Sequence, residues 1–435
     1  MRLIFLLTFI FFNISTFSQD FNREKLDSLF NYLDEKNMIM GSTAINQNGS
    51  TVYQKAFGFS DVELRNRANP QTLYRIGSVS KTFTATVILQ LIEEEKLTLE
   101  TTIDKFFPEI PNAKEITIEH LLSHQSGLVN FTDDPAYSEW LNQPKTKEEL
   151  IELFTKNGSN FSPGTSSEYS NTNYVLLTFI AEEIEDKDFE KIIRKRIFSP
   201  AQLKRSKYAG RIKSKNNEAL SYYPKNNWET ASETNPSIPL GAGAIAAQAD
   251  EVSSFFYHLF EGNLLEKSSL KEMTTARKEF GLGLFQLPYR DKKVYGHTGG
   301  IDGFQSLAVF FPEEKTAVSL LLNGNKMDLN EVFLGILEIY FGYKYSLPHF
   351  EEVKNANQFT GTYSSESFPL KLDIFLENNL LYGQATGQPA FRLNQVDEQT
   401  FEFPPAGLQI EFNSEEKTLK LTQSGFTYIL KKEED

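Results

Sequence analysis

The sequence predicts an α/β (α+β) protein: one antiparallel sheet built from two distant parts of the chain, covered by helices, with an all-helical subdomain between those parts and a small all-β domain after them. Three observations carry this. Strand-like runs at Ser42 to Gln47 and Thr51 to Phe57 are joined by Asn48-Gly49, a dipeptide suited to a two-residue hairpin because both residues tolerate positive φ. A mainly helical stretch from Leu97 to about Glu185 follows, and strand character returns at Gly281 to Leu287, Val294 to Tyr295, Phe304 to Phe311 and Thr316 to Leu322. From Gly361 onward the texture changes to short alternating runs with turn signals at close intervals, which reads as a separate barrel or sandwich.

A chain of 435 residues exceeds one ordinary core, so more than one domain is expected. The expected division is a leader at 1–18, a catalytic unit at 19–347, a polar linker at 348–357 and the β-domain at 358–435. The leader has Arg2, an apolar run from Leu3 to Phe12, and small residues Thr16 and Ser18 before Gln19. That is a secretory signal pattern whose apolar run is too short to span a bilayer, so a cleaved signal and a periplasmic or secreted protein are expected, not an integral membrane protein.

The chain contains no cysteine, which excludes disulfides, thiol catalysis and a cysteine-linked lipid anchor. A formal net charge of -14 argues against nucleic acid as a partner. Among the five histidines, His120 and His124 stand four apart, but no His-Glu-x-x-His pattern accompanies them. They read as hydrogen-bonded core residues, and no catalytic metal or cofactor is expected.

Element by element, Leu26, Leu29, Phe30 and Leu33 mark the inner face of a first amphipathic helix. After the hairpin, Arg75-Ile-Gly-Ser-Val-Ser-Lys81 turns into a helix whose apolar residues, from Phe83 to Ile92, surround most of its circumference and so place it inside a core. Ile116 to Leu128 reads as a buried helix closed by Gly127, Phe161 to Tyr174 as a polar turn entering an apolar helix, and Gly241 to Asp250 as the opening of another helix. A last amphipathic helix is expected from about Leu329 to Phe341.

Ser78 and Lys81 lie three apart at a helix start, which sets hydroxyl and amine on one face about 5 to 6 Å apart at Cβ. A serine hydroxyl needs a neighbour to take its proton, and a lysine serves only if burial or a nearby cation lowers its pKa. The helix N-terminus adds free N–H groups for a developing oxyanion. Ser-x-x-Lys alone is weak, since it recurs at Ser268/Lys271 and Ser414/Lys417, and Ser78 alone also fits a helix N-cap.

Two further patterns follow in order: Tyr169-Ser-Asn171, and His297-Thr-Gly-Gly300 beside the predicted strand Phe304 to Phe311. The series Ser-x-x-Lys, Tyr-x-Asn, His-Thr-Gly resembles the serine β-lactamase and penicillin-binding protein superfamily, and more closely its class C β-lactamase, DD-peptidase and esterase branch. The segments His120 to Leu128, Phe161-Ser-Pro-Gly164, Tyr169 to Tyr174 and Gly296 to Phe304 strengthen that resemblance, which covers roughly residues 22–345. It implies a β-lactamase/transpeptidase-like fold, and the C-terminal domain resembles the lipocalin-like appendages of some members.

The resemblance also implies roles. Ser78 would be the acylated nucleophile, with Lys81 holding its hydroxyl and sharing the proton work. Tyr169 would act as base toward Ser78 and then as acid toward the leaving group. Asn171 would orient Lys81 and bind a substrate amide, His297, Thr298 and Gly300 would bind substrate, and the N–H groups of Ser78 and Gly300 would form the oxyanion hole. The expected activity is that of a serine hydrolase acting through an acyl-enzyme on a small D-amino-acid peptide, amide or ester, cell-wall-derived compounds included. The alternatives are a true class C-like β-lactamase and a penicillin-binding sensor without turnover.

His297 stands where the superfamily pattern has lysine. A histidine near its ordinary pKa of about 6.5 is mostly neutral at pH 7, so carboxylate substrates are expected to bind better as pH falls through that value. No Gly-x-Ser-x-Gly elbow exists, which argues against a Ser-His-Asp hydrolase. Tyr137, Trp140, Tyr222, Tyr223 and Trp228 are candidates for the pocket wall.

Overall fold

The structure, a computed structural model, describes residues 21–433 except 209, 225–227, 349–352, 354, 378–379, 389, 404–405 and 424. The leader at 1–18 lies outside the described residues.

The amphipathic residues Leu26, Leu29, Phe30 and Leu33 fall on one face of helix α1 (Arg23–Glu35) and are fully buried. Strands β1 (Ile39–Gln47) and β2 (Ser50–Phe57) form the expected hairpin, with Asn48 and Gly49 at φ 51° and 81°. Helix α2 (Ser80–Glu93) follows, then α3 (Asn171–Glu185), α4 (Ala249–Phe260), strands β3 (Phe285–Tyr289), β4 (Lys292–Ile301), β5 (Phe304–Phe311) and β6 (Thr316–Asn325), and α5 (Leu329–Tyr340). The six strands make one antiparallel sheet in the order β3-β4-β5-β6-β1-β2. The first hairpin therefore joins the last four strands through the β1–β6 pair, as two-part assembly requires.

Alternation along the central strands splits the side chains between two cores. Leu307, Val309 and Phe311 of β5, with Val318, Leu320 and Leu322 of β6, pack under α1 and α5. Ala308 and Phe310, with Ala317 and Leu321, face the opposite core with α2, α3 and α4. Because both faces are covered, every residue of β6 is buried.

The sequence expectation of one helix from Ile116 to Leu128 is corrected. Only Ile118–Leu122 is α-helical; His124 takes φ +57°, and Gly127 takes φ +78° with its α-carbon so near the Phe161 carbonyl that a Cβ would lie 2.0 Å from the oxygen. The segment from Gly241 is likewise not the start of α4. It forms a 3₁₀ turn at Leu240–Ala242 and a short strand at Ile245–Ala247 before α4 begins at Ala249. Its small residues allow passage between helices: a Cβ on Gly241 would meet Thr178 Oγ1 at 2.3 Å and Thr84 Oγ1 at 2.6 Å.

Beyond α5, nine strands from Gly361–Ser365 to Phe426–Lys432 form a second antiparallel sheet with its own apolar core, which includes Phe359, Leu372, Phe401, Ile410 and Leu430. Its edge strands, Phe391–Arg392 and Asn394–Gln395, are separated by one residue, so the sheet nearly closes on itself as a barrel. Val353 and Ala356, from the stretch expected as a polar linker, contribute to this core. Arg392 Nη2 lies 2.7 Å from Glu331 Oε1 of α5, and Asn394 Nδ2 donates to the same oxygen at 3.3 Å, so a buried ion pair ties the barrel to the first sheet's helix layer. A cavity of about 720 Å³ lies between them, lined mainly by apolar residues such as Leu307, Phe333, Leu370 and Phe403.

Candidate active site

Ser78 sits in a 3₁₀ turn, Gly77–Val79, that leads directly into α2. Two glycines let this turn lie against β4. Gly77 has φ +50°, and a Cβ there would come within 2.9 Å of the Gly300 backbone; a Cβ on Gly299 would meet Ile76 O at 2.2 Å and Ser306 Oγ at 2.4 Å. Ser306 Oγ donates to Ile76 O at 2.7 Å, which fixes the approach. Replacing Gly77 by Ala therefore combines left-handed strain with displacement of β4, and is expected to cost about 1–3 kcal/mol of stability and to slow acylation of Ser78. Thermal unfolding and the labelling rate of Ser78 by a fluorophosphonate check it.

Lys81 is completely buried one helical turn on. Its Nζ lies 3.0 Å from Ser78 Oγ, 2.7 Å from Asn171 Oδ1 and 2.9 Å from the Ala242 carbonyl oxygen. The Asn171 amide is oriented by its other end, since Nδ2 donates to Asn130 Oδ1 at 3.1 Å and Thr132 Oγ1 at 3.2 Å. Ala242 is held by the thread between α2 and α3: Thr84 Oγ1 donates to Gly241 O at 2.8 Å, and Gly241 N donates to Thr178 Oγ1 at 3.0 Å. No carboxylate touches Lys81 among the described residues, and burial drives its pKa well below the ordinary lysine value.

That geometry has a chemical consequence. Two of the three neighbours of Nζ are carbonyl oxygens, which only accept hydrogen bonds. A neutral amine directs its two N–H groups to them and turns its lone pair to the Ser78 hydroxyl. Lys81 is thus shaped to receive the serine proton.

Tyr169 lies in the turn before α3, with Lys81 Nζ 4.9 Å from its ring centroid and the His124 ring 4.4 Å away. Burial raises its pKa above the ordinary phenol value, and a hydrogen bond to Ser78 offsets part of that rise. The resting group is a neutral phenol, poorly suited to be the first base. His124 accepts from the Ser170 N–H at 3.1 Å and supports this turn, and His120 caps its short helix by accepting from Thr117 N. No group of three His, Cys, Asp or Glu side chains that could hold a metal occurs among the described residues.

His297 lies within β4, beside β5 as expected, with His297 opposite Ala308; it is completely buried, with its ring 6.2 Å from that of Tyr169. Burial pushes its pKa down to about 3. The expectation of carboxylate capture governed by His297 between pH 5 and 8 is therefore corrected: the ring is neutral across that range. The Michaelis constant for a carboxylate substrate should show no inflection assignable to His297 from pH 5 to 8. A steady-state series at constant ionic strength, repeated with His297→Gln, checks this; a wild-type inflection abolished by the substitution would refute it.

Ser78 faces two cavities. One, of about 410 Å³, is lined by Tyr169, Phe280, Phe285, His297, Thr298, Gly299 and Gly300. The other, of about 280 Å³, includes Phe131, Thr132, Tyr137, Asn171, Tyr223, Thr234, Gly300 and Asp302. All the predicted site residues therefore converge here: Ser78, Lys81, Tyr169, Asn171, His297, Thr298 and Gly300.

The aromatic expectations divide. Tyr137 and Tyr223 line the second cavity, but Trp140 packs on Tyr137, the Tyr222 hydroxyl accepts from the Val62 N–H at 2.8 Å, and Trp228 donates to Asn37 Oδ1. Sequence reasoning missed Asn130, Thr132, Thr234 and Asp302, which are polar residues in irregular segments. The other two Ser-x-x-Lys copies lie elsewhere, with Ser268 and Lys271 exposed.

A nucleophile, a buried amine and a phenol in contact at a helix start define a serine acyl-transfer site. The chain belongs to the Beta-lactamase family, whose model matches residues 26–340, and it is a serine hydrolase of that family. It is 25% identical over 438 residues to penicillin-binding protein 4* of Bacillus subtilis, covering 92% of this chain and 95% of the relative. It is also 25% identical over 342 residues to the teichoic acid D-alanine hydrolase of Staphylococcus aureus, covering 74% and 79% respectively. Among solved structures, the D-amino acid amidase of Ochrobactrum anthropi matches with a TM-score of 0.66 at 25% identity, covering 73% of this chain and 98% of the amidase.

Proposed function

We propose that the protein is a secreted hydrolase that forms an acyl-enzyme on Ser78 and cleaves small amides or esters of D-amino acids, including those derived from cell walls. The observation that carries this reading is the contact of Ser78 Oγ with a buried amine whose other two neighbours are carbonyl oxygens. The similarity to a D-amino acid amidase and to a D-alanine hydrolase supports the substrate class. Secretion rests on the charged, apolar and small-residue succession in residues 1–18.

In acylation, Ser78 Oγ attacks the substrate carbonyl carbon as its proton passes to Lys81. The new C–O bond gives a tetrahedral oxyanion, held by the N–H groups of Ser78 and Gly300, each such donor contributing about 3–4 kcal/mol in comparable enzymes. Tyr169 gives its proton to the departing amine or alcohol as that bond breaks, and is reprotonated from Lys81. Water then attacks the acyl-enzyme, losing its proton by the same route, and releases the acid. This order assigns the first proton transfer to Lys81 rather than Tyr169, because burial favours the neutral form of each.

A β-lactamase or penicillin-binding sensor has less support, since a neutral His297 supplies no cation for the carboxylate of a β-lactam. Hydrolysis of D-alanine amide and a D-alanyl ester, compared with benzylpenicillin, tests the reading. Release of D-alanine at a higher kcat/KM than penicillin turnover is expected. Faster penicillin hydrolysis would make the enzyme a β-lactamase instead.

A further inference from the structure

We infer that Asp302 is a specificity-determining residue that recognises the free ammonium group of an α-aminoacyl ester or amide bound at Ser78. The inference rests on the hydrolase reading above and narrows its substrate class. Among the described residues lining the cavity that contains Ser78, Tyr137 and Tyr223, Asp302 carries the sole carboxylate, and no lysine or arginine lines it.

The position of this carboxylate is built rather than incidental. Ile301 pairs with Phe304, so Asp302 and Gly303 form the two-residue turn between β4 and β5. Asp302 takes φ +54°, a conformation that favours glycine and that a side chain occupies at a cost. Its side chain is 2% exposed. Oδ1 accepts from Thr234 N at 2.9 Å and from Thr234 Oγ1 at 2.6 Å, whereas Oδ2 has a single long contact, 3.4 Å to Arg75 Nη1. A carboxylate oxygen can accept two hydrogen bonds, so Oδ2 retains capacity for a donor from the cavity.

Charge points the same way. Arg75, equally buried, also pairs with Glu233 Oε1 at 2.5 Å, so two carboxylates share one buried guanidinium. Arg211 approaches Glu233 only at 3.7 Å and is half exposed. Because Asp302 is the sole charged side chain on the cavity wall among the described residues, the cavity disfavours a substrate carboxylate and favours a cation.

Placement is also suitable. Asp302 follows Gly300 by two residues, and both line the same cavity as Ser78. An ammonium on the carbon next to a carbonyl held at Gly300 would share that cavity with the Asp302 carboxylate. N-acylation of the substrate removes that charge, and loss of the amino group leaves Oδ2 facing an apolar group.

The test compares a D-alanyl ester with its propionyl and N-acetyl-D-alanyl counterparts, in wild type and in Asp302→Asn. Rates are normalised to the active fraction by fluorophosphonate titration of Ser78. The wild type should favour the free-amine ester by about 30-fold or more in kcat/KM, mostly through KM, and Asp302→Asn should reduce that preference to within about threefold. Equal wild-type rates on all three esters would overturn the inference while leaving the hydrolase reading intact, as would a variant that keeps the full preference. If Asp302→Asn carries no titratable Ser78, the wild-type preference is tested with Thr234→Val, which removes one hydrogen bond to Oδ1 and should weaken it partially; an unaltered preference counts against the inference. Failure of wild type to turn over any ester, with no acyl group on Ser78, would overturn both readings.

Discussion

Ser78→Ala should lower turnover of a D-alanyl ester by about 10⁴- to 10⁶-fold, and Lys81→Met should do nearly as much, with the double variant no worse than either alone. The expectation follows from the shared proton. Without Ser78 no acyl bond can form, and without Lys81 the hydroxyl faces only Tyr169, whose phenol burial holds in its neutral form. Additive losses would mean that the two side chains act in separate steps. The same geometry sets the pH dependence of kcat/KM. Lys81 must be unprotonated to accept the proton, and burial depresses its pKa, so activity rises as pH climbs through that lowered value and then levels.

The second large effect concerns the ion pair between the barrel and α5. Arg392→Met leaves the Glu331 carboxylate buried at 7% side-chain exposure with Asn394 as its remaining hydrogen-bond donor, and is expected to cost about 3–5 kcal/mol. Burial already raises the Glu331 pKa, with the Arg392 charge opposing that rise, so the variant carboxyl should take up a proton nearer neutral pH. Replacing both residues together, Glu331→Leu with Arg392→Met, should recover most of the loss, because no buried charge is then uncompensated. Denaturant titration followed by tryptophan fluorescence reads all three. A loss below about 1 kcal/mol for Arg392→Met would show that the pair behaves like an exposed one.

How much of this was legible in the sequence depends on the range over which each contact acts. The β1–β2 hairpin was readable because Asn48 and Gly49 impose their turn locally, and Ser78 with Lys81 because three residues of helix fix their relation. Tyr169, Asn171 and His297 were found through their motifs. Helix boundaries failed where backbone departures were required: His124 and Gly127 interrupt the stretch expected as one helix, and Gly241 is small because it passes between Thr84 and Thr178.

The carbonyl of Ala242 could not be foreseen, since any residue carries one and only the tertiary path brings it to Lys81. Asp302 and Thr234 escaped for a related reason, being 68 positions apart in irregular segments with no periodicity to mark them. Among the aromatic candidates, composition could not separate Tyr137 and Tyr223, which line the cavity, from Tyr222 and Trp228, which bind backbone or side-chain partners away from it. The change in the reading of His297 is likewise tertiary. Its charge is decided by complete burial near Lys81, not by its side-chain type.

Transfer of the acyl group to Ser78 is the central claim, and acid-quenched mass spectrometry tests it most directly. Wild type and Ser78→Ala are mixed with a D-alanyl ester or with benzylpenicillin, quenched within the first turnovers, and mapped by peptide. An added acyl mass is expected on the peptide containing Ser78, absent from the variant, with the D-alanyl adduct clearing on further incubation. Turnover of the ester without any adduct on that peptide, or an adduct that persists in Ser78→Ala, would contradict that claim.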